Sequence, residues 1–319
     1  MMPRTVRAQI GLAYLFARAA DTIADTDLIE RSRRLALLKD FKAQFINDCV
    51  DWEIIRSIQS ALVPHQASAG ERALMERLEE CFQFLETFIP EDRTRIRTLM
   101  CTLTNGMEMD LAVFPGDSVK DLTALHTMEE LDRYTYYVAG CVGEFWTDMV
   151  AGHVPSLSTW NVPEMAKVGV RFGKGLQLTN ILKDVARDLQ RGRCYIPEML
   201  LQEAGLTSSD LLKPDNSNRL KPVLRKLTGV ARAHLDQGWL YTLAIPRREL
   251  RLRLACMWPI LFAGQTLRRV ADSAVLLDPS VNIKMPKGQV YRIMALTTLT
   301  GGCGYVGSAY WGRLRKTFG

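Results

Sequence analysis

The sequence predicts an all-α protein, and three observations support this fold class. Apolar residues recur with the 3.6-residue period of a helix, whereas alternating strand patterns between turn residues are nearly absent. No linker is long or polar enough to separate domains, and no repeat of solenoid length occurs. The 319 residues, 47% hydrophobic and 24% charged, can bury a sizeable core. We therefore expect one all-α domain over residues 1–319.

Turns that contain proline, glycine or several polar residues divide the chain into predicted helices. These helices cover residues 5–25, 28–48, 50–62, 69–88, 91–114, 128–152, 159–188, 197–201, 208–212, 218–243, 247–278 and 287–313. The stretches 134–152 and 254–278 are apolar on more than one face, which is typical of helices in the middle of a bundle. The small residues at 138–143 indicate either close helix packing or the wall of a channel for a long apolar ligand.

Charge and cysteine usage restrict the partners and the compartment. The formal net charge of +6 suits an anionic partner, such as a phosphorylated substrate, nucleic acid or an anionic lipid surface. The basic residues are dispersed without a reader motif, so nucleic acid is not expected. The seven cysteines stand singly, without zinc spacing, which favours reduced thiols in the cytoplasm. Arg7 and Arg18 interrupt the N-terminal apolar stretch, which has no signal-peptide pattern.

Residues 293–312 contain no charge, and this stretch is long enough to cross a bilayer. Several glycines, threonines and serines lower both its hydrophobicity and its helix propensity. We therefore expect a buried or membrane-facing terminal helix rather than a transmembrane one. The basic residues Arg313, Arg315 and Lys316 follow it.

Two acidic motifs with DxxxD spacing stand about half the chain apart. Asp21 and Asp25 belong to "ADTIAD", and Asn180, Asp184 and Asp188 belong to "NILKDVARD". Residues four apart on a helix project side by side, so each motif forms a row of oxygen ligands. One such row is more often a solvated surface. Two rows that face each other would form a hard-oxygen site suited to Mg²⁺.

The surroundings of both rows favour a site. Their flanks are strongly apolar, so the acids are expected to border a partly buried cleft, where unneutralised charge is unfavourable. The neighbouring cations Arg18, Lys183, Arg191 and Arg193 would, together with Mg²⁺, bind a diphosphate. This arrangement suits ionisation of an allylic diphosphate, because Mg²⁺ stabilises the departing pyrophosphate and apolar walls shield a carbocation from water.

The stretches "YLFARAADTIAD", "RYTYYVAGCVG", "GLQLTNILKDVARDLQRGRCYIP" and "KMPKGQ" resemble the squalene/phytoene synthases, the head-to-head trans-isoprenyl diphosphate synthases. The resemblance runs from about residue 8 to residue 292, in the order of the family. It implies a single isoprenoid-synthase helical bundle around a central apolar cavity. By this resemblance Asp21 and Asp25 are the first metal-binding pair, and Asn180, Asp184 and Asp188 form the second metal-binding set.

The resemblance also implies roles for residues near the two motifs. Tyr14 and Arg18 are similar to residues on the diphosphate side, Gln177 would line the pocket, and Arg193 would reach phosphate. Tyr137 resembles a tyrosine near the reacting carbons, where a general base and a cation stabiliser are both possible roles. Packing of the Tyr137 ring between helices is the alternative interpretation.

Within the family, squalene synthases reduce a cyclopropyl intermediate with NADPH, whereas phytoene and dehydrosqualene synthases do not. The stretch "VNIKMPKGQ" resembles an element whose basic residues approach the NADPH phosphate, so Lys284 and Lys287 are expected cofactor contacts. Lys183, before Asp184, is a further expected cofactor contact. Pro259 resembles a proline near the nicotinamide. Without the resemblance, a solvated basic loop is the simpler interpretation of Lys284 and Lys287. No GxGxxG is present, so this cofactor site would not be of the Rossmann type.

Some positions depart from the family pattern. Ala24 stands where an acid is common, which leaves fewer ligands in the first motif. Lys183 replaces a common arginine and lacks its bidentate fork, and Arg187 replaces a common acid. Pro286 occupies a basic position of the NADPH element, which weakens that interpretation. The family's upstream helix, which contains Ser and Arg, is absent, so we expect an N-terminal helix to be missing from this sequence.

The sequence thus predicts Mg²⁺-dependent condensation of two farnesyl diphosphates to presqualene diphosphate, followed by reduction with NADPH to squalene. The protein is expected in the cytoplasm, bound peripherally to the inner membrane face, because its substrate and product are strongly apolar. One alternative is a phytoene, dehydrosqualene or presqualene diphosphate synthase without the reductive step. Another is a non-catalytic helical protein that binds lipid or membranes. Chain-length specificity and oligomeric state stay open.

Overall fold

The computed structural model describes residues 3–318 except 27, 48, 301 and 303, and this part of the chain is almost entirely helical. The α-helices are α1 Arg7–Asp25, α2 Arg31–Ile46, α3 Trp52–Leu62, α4 Ala69–Glu76, α5 Leu78–Glu86, α6 Pro90–Val113, α7 Met128–Thr135, α8 Cys141–His153, α9 Val162–Gln190, α10 Glu198–Glu203, α11 Ser217–Ala244, α12 Leu250–Asp272, α13 Lys287–Leu299 and α14 Gly304–Leu314. Among the described residues, the only strands are the two-residue β1 Thr123–Ala124 and β2 Arg193–Cys194, which pair in parallel. The all-α prediction is confirmed.

Three predicted helices are divided in the structure. The predicted helix 69–88 is α4 followed by α5, separated at Arg77, and 128–152 is α7 and α8 joined by the π-helical turn Tyr136–Gly140. The predicted helix 287–313 is α13 followed by α14. The predicted helix 208–212 is instead the 3₁₀ turn Ser209–Leu212. Residue 48, the predicted end of the second helix, lies outside the described residues.

The longest helix, α9, lies at the centre and contacts α8, α11 and α12. Asn161 caps the N-terminus of α9, because its side chain accepts a hydrogen bond from the Glu164 amide. Pro163 lies in the first turn, where no amide donor is needed. One hydrophobic core cluster surrounds α9, α11 and α12, and a second joins α1 to α6. The faces of α1, α6 and α9 that carry acids meet between these two clusters, and this position defines the candidate site.

The small residues at 138–143 bring α8 and the π turn very close to α9. A Cβ at Gly143 would lie 2.0 Å from the Gly169 carbonyl oxygen, and a Cβ at Gly173 would lie 2.2 Å from the Ala139 carbonyl oxygen. The same stretch contributes Val138, Ala139, Val142 and Gly143 to the wall of an apolar cavity. This stretch therefore packs closely against α9 and also lines a cavity, and that the cavity holds a long apolar ligand stays a prediction.

The C-terminal part packs on α12 through α13 and α14. The uncharged stretch 293–312 is divided between these two short helices. Gly301, in that stretch, lies outside the described residues. No helix in the described part of the chain is long and apolar enough to span a bilayer.

Candidate active site

The first acidic motif occupies the last turn and a half of α1. The apolar face of α1, which includes Phe16, Ala20 and Ile23, is fully buried, so Asp21 and Asp25 point to the other side of the helix. Arg18 donates to Asp21 at 3.0 Å and to Glu71 at 2.7 Å. Burial raises the pKa of Asp21 to about 6; Arg18 opposes the rise and Asp25 adds to it. The carboxylate therefore sits where its charge is only partly compensated.

The second motif occupies the last three turns of α9, opposite the face that packs Leu178, Leu182 and Leu189 into the core. Asp184 pairs with Lys183 at 2.9 Å and lies 3.8 Å from Arg187. Burial, and after it repulsion from the neighbouring Asp184, raises the pKa of Asp188 to about 7.

The two motifs meet at one cavity of about 350 Å³, here called the acidic cavity. Asp21 and Asp25 line it from α1, and Asp188 lines it from α9. Gln177 and Arg193 also line it. The remaining polar residues in its wall are Asp110, Tyr134, Arg191 and Tyr195. The structure thus brings together three of the four predicted carboxylates from segments more than 160 positions apart.

A second cavity, of about 290 Å³, adjoins the first and is here called the apolar cavity. Val138 and Gln177 belong to the walls of both cavities. The apolar cavity extends between α8, α9, α11 and α12, and Asn180 and Pro259 are part of its wall. A polar compartment therefore opens beside an apolar one. Of the second motif, Asp188 lines the acidic cavity, Asn180 lines the apolar cavity, and Asp184 lines neither.

Asp110 on α6 was not predicted as a site residue, although it lines the acidic cavity. It pairs with Arg193 at 3.0 Å and accepts a hydrogen bond from the Tyr195 hydroxyl. Burial raises the pKa of Asp110, while Arg193 opposes the rise. The available signal was the second of two acids, Glu108 and Asp110, in the mostly apolar run "GMEMDLAVF". Asp110 holds the side chain of Arg193 at the cavity wall.

Arg34 and Asp117 were also missed, and they connect the two motifs. Arg34, whose side chain is 3% exposed, donates to the carbonyl oxygen of Ala24 at 3.0 Å and to the Asp117 carboxylate. Asp117 also accepts from Arg193 at 3.3 Å. The chain of contacts from Ala24 through Arg34 and Asp117 to Arg193 is called the bridge below. It links the backbone of the first motif to the arginine that follows the second.

The loop that carries Asp117 lies beside the turn after α9. Gly192 in that turn has a φ of +76°, and a Cβ there would lie 2.5 Å from the Ser118 carbonyl oxygen. β1 and β2 pair directly after these residues, with Thr123 opposite Arg193. Glycine at 192 therefore allows the approach that places Asp117 within reach of Arg193.

Tyr137 lies in the π-helical turn, a feature that is frequent at functional sites. Its neighbours Tyr134 and Val138 line the acidic cavity, whereas Tyr137 itself is partly buried and packs against Tyr136 at 5.8 Å between ring centroids. A Cβ at Gly106 would lie 2.8 Å from the Cβ of Tyr137, so glycine lets α6 approach this turn. The role of Tyr137 stays a prediction.

The remaining predicted residues lie outside both cavity walls. Tyr14 is 63% exposed on α1, one turn before Arg18. Lys183 pairs with Asp184. Lys284 and Lys287 are exposed immediately before α13 and in its first turn. Their proposed contacts with substrate or NADPH stay predictions.

The donor set fits Mg²⁺. Among the residues that the structure describes, no three His, Cys, Asp or Glu side chains converge closely enough to hold a metal by themselves. Mg²⁺ does not require such a cage, because it retains waters and binds through one or two carboxylates together with substrate phosphates. The acidic cavity offers four carboxylates against two guanidinium groups, those of Arg191 and Arg193. This excess of negative charge needs a cation before a diphosphate can enter.

Comparisons with known proteins agree with this architecture. A family model described as squalene/phytoene synthase matches residues 1–287. Squalene synthase ERG9 of Saccharomyces cerevisiae is 26% identical over 297 residues, which cover 93% of this chain and 62% of the yeast protein. A 15-cis-phytoene synthase of Enterobacter agglomerans is 31% identical over 153 residues, 48% of this chain and 47% of that protein. A solved complex of TcSQS with the ligand BPH1237 superposes with a TM-score of 0.73 at 18% identity, covering 97% of this chain and 84% of that chain.

The helical bundle with its central cavities is therefore an all-α isoprenoid synthase fold. The chain belongs to the squalene/phytoene synthase family, a family of prenyltransferases. It spans about three fifths of the length of the yeast squalene synthase.

Proposed function

We propose that this protein is a squalene synthase: it condenses two farnesyl diphosphates head to head to presqualene diphosphate and then reduces this product to squalene with NADPH. One observation supports this proposal above the others. The acidic cavity, with carboxylates from both motifs, adjoins an apolar cavity that is lined by α8, α9, α11 and α12. A prenyl diphosphate has the same division into an anionic head and an apolar chain.

The acidic cavity is suited to the diphosphate head. Asp21, Asp25 and Asp188, with Asp184 and Asn180 on the same face of α9, would hold Mg²⁺. The bound Mg²⁺ would supply the positive charge that stabilises departing pyrophosphate. Arg193, held in place by Asp110 and Asp117, would donate to phosphate oxygens without having to be reoriented.

The apolar cavity is suited to the isoprenoid chain and to its cation. Breaking the carbon–oxygen bond releases pyrophosphate and leaves an allylic cation, which water would capture in an open site. Val138, Phe172 and Trp146 are among the side chains that line this cavity and exclude water. Tyr137, in the turn beside Val138, would act as general base or would stabilise the cation.

The reductive step is the finer part of the proposal. Lys284 and Lys287 are exposed cations that suit the phosphate groups of NADPH, and Pro259 lines the apolar cavity. NADPH would supply a hydride. The phytoene synthase relative supports the alternative, a condensation without reduction. We also propose a cytoplasmic location with peripheral contact at the inner membrane face, since substrate and product partition into lipid.

A product assay tests the proposed reaction. Purified protein is incubated with farnesyl diphosphate and Mg²⁺, with and without NADPH, and the lipids are extracted and identified. We expect presqualene diphosphate without NADPH and squalene with it. Dehydrosqualene in the presence of NADPH, or phytoene from geranylgeranyl diphosphate, would contradict the squalene assignment. Absence of any Mg²⁺-dependent pyrophosphate release would favour a non-catalytic lipid-binding protein.

A further inference from the structure

The outer face of α13 and α14 exposes apolar side chains to solvent. Leu299 is 87% exposed and Tyr305 is 82% exposed, the two largest values for large hydrophobic side chains in the described part of the chain. On α13, Tyr291 is 65% and Leu296 is 40% exposed. Tyr291, Ala295 and Leu299 are spaced by four, so they form one stripe on the surface of α13. The four large exposed side chains Tyr291, Leu296, Leu299 and Tyr305 are called the apolar tip below.

Positive charge borders the apolar tip on both helices. No acidic residue follows Asp278, and the charged residues beyond it are Lys284, Lys287, Arg292, Arg313, Arg315 and Lys316. On α13, Lys287 comes first, Arg292 follows Tyr291, and Leu296 and Leu299 come last. On α14 the exposed series runs in the opposite order, from Tyr305 through Ala309 to Arg313 and then Lys316. The cations thus lie up to roughly 15–20 Å along the helices from an apolar centre.

The inner faces of both helices already have partners. Trp258 on α12 donates to Thr297 at 2.8 Å, and Trp239 on α11 donates to Ser308 at 3.0 Å. Trp311 donates to Asp236 at 2.8 Å. The inner side of the helix pair is therefore hydrogen-bonded to α11 and α12, and the apolar tip is not part of the core that the described residues form.

Gly302, between α13 and α14, also has partners. Gly302 is buried with a φ of +63°, its amide donates to the Thr297 carbonyl oxygen at 2.8 Å, and a Cβ there would lie 3.1 Å from Leu250. The hydrogen bond closes the C-terminal end of α13, and Leu250 of α12 lies beside Gly302. Leu299 and Tyr305 are the large exposed side chains before and after Gly302.

We infer that the apolar tip docks on an anionic phospholipid bilayer, with its apolar side chains in the interface and the flanking lysines and arginines on lipid headgroups. Tyrosine and leucine bordered by Lys and Arg form the composition that binds at bilayer interfaces. Arg315 pairs with Asp236 of α11 at 3.0 Å, so its charge is partly neutralised. The excess of positive charge from the other five cations argues against a second copy of this chain, because pairing the same face would bring cations together. The inference rests on the proposed membrane contact and identifies the surface that makes it.

Vesicle sedimentation with the full chain and no substrate tests this surface. We expect at least tenfold tighter binding to vesicles of phosphatidylcholine with about one third phosphatidylserine than to phosphatidylcholine alone, and we expect high salt to abolish the difference. Leu299→Glu combined with Tyr305→Glu should weaken binding by about tenfold or more. Ile46→Glu is the matched control, because Ile46 is 62% exposed on the distant α2, and it should bind as wild type does.

A second variant separates charge from apolar insertion. Arg292→Gln combined with Arg313→Gln should reduce the preference for anionic vesicles by about tenfold. Three results would overturn the inference: equal binding to neutral and anionic vesicles, wild-type binding by the Leu299/Tyr305 variant, or a dimer in solution that this variant dissociates. The pyrophosphate-release assay in detergent measures the proposed reaction separately, so failure of one proposal leaves the other intact.

Discussion

Asp117→Asn should weaken the link between the two acidic motifs. Asp117 is the shared partner of Arg34 and Arg193, and its side chain is 33% exposed. Hydrogen bonds to charged groups contribute about 1.5–3 kcal/mol when buried. Partial exposure reduces this contribution to about 1 kcal/mol for each of the two contacts. We expect a loss of about 2 kcal/mol in the free energy of unfolding, or roughly 3 °C in Tm for a chain of this length.

The same substitution should also affect substrate binding. Arg193 would lose one of its two carboxylate partners, and Arg34 would hold the Ala24 carbonyl without its second anchor. We expect the KM for the diphosphate substrate to rise about fivefold to tenfold, with a smaller change in kcat. A loss of general stability alone would lower the amount of active enzyme and leave KM unchanged.

The assays are urea unfolding and initial-rate kinetics of pyrophosphate release. Asp121→Asn is the matched control, because Asp121 lies in the same loop and bonds Ser118 rather than either arginine. If Asp117→Asn and Asp121→Asn have the same stability and the same KM, the bridge does not couple the motifs.

Other predictions concern packing, pH and metal. Gly143→Ala should destabilise the fold by about 3 kcal/mol in urea unfolding, because its Cβ would meet backbone, whereas Gly229→Ala, with open space around it, should be neutral or slightly stabilising. Burial, and after it the charge of Arg171, lowers the pKa of His234 to about 4. The His234 imidazole therefore stays neutral in the folded protein down to about pH 4, whereas in the unfolded chain it takes up a proton below about pH 6.5. The contribution of His234 to stability should therefore fall by about 1–2 kcal/mol between pH 6.5 and 4, measured as the difference between the wild type and His234→Gln, because the raised pKa values of Asp21 and Asp188 act in the opposite direction in both proteins. Chelation of Mg²⁺ should abolish turnover and leave the helical circular dichroism unchanged.

The helices were largely predictable because their apolar period and their capping or breaking residues are local. The π turn at Tyr136–Gly140 was not, since the apolar pattern of a π turn within a helix hardly differs from that of an α-helix. The break between α4 and α5 at Arg77 also lacks proline or glycine, the usual signals.

The acidic cavity was predictable in part. Each DxxxD row is a local pattern, and the resemblance connected the two rows. Asp110 and Asp117 were missed because their partners are remote: Tyr195 is 85 positions from Asp110, and Arg34 is 83 positions from Asp117. Contacts of this kind depend on the tertiary arrangement and have no spacing rule in the sequence.

Calorimetric titration with pyrophosphate, with and without Mg²⁺, tests the central claim most directly. The acidic cavity carries more carboxylates than guanidinium groups, so pyrophosphate should bind only when Mg²⁺ is present, at least about a hundredfold more tightly than without it. Asp188→Asn should weaken the Mg²⁺-dependent binding, while Asp121→Asn should not change it. Pyrophosphate binding of equal strength without Mg²⁺, or unchanged binding in Asp188→Asn, would contradict the assignment of this cavity to a metal-bound diphosphate.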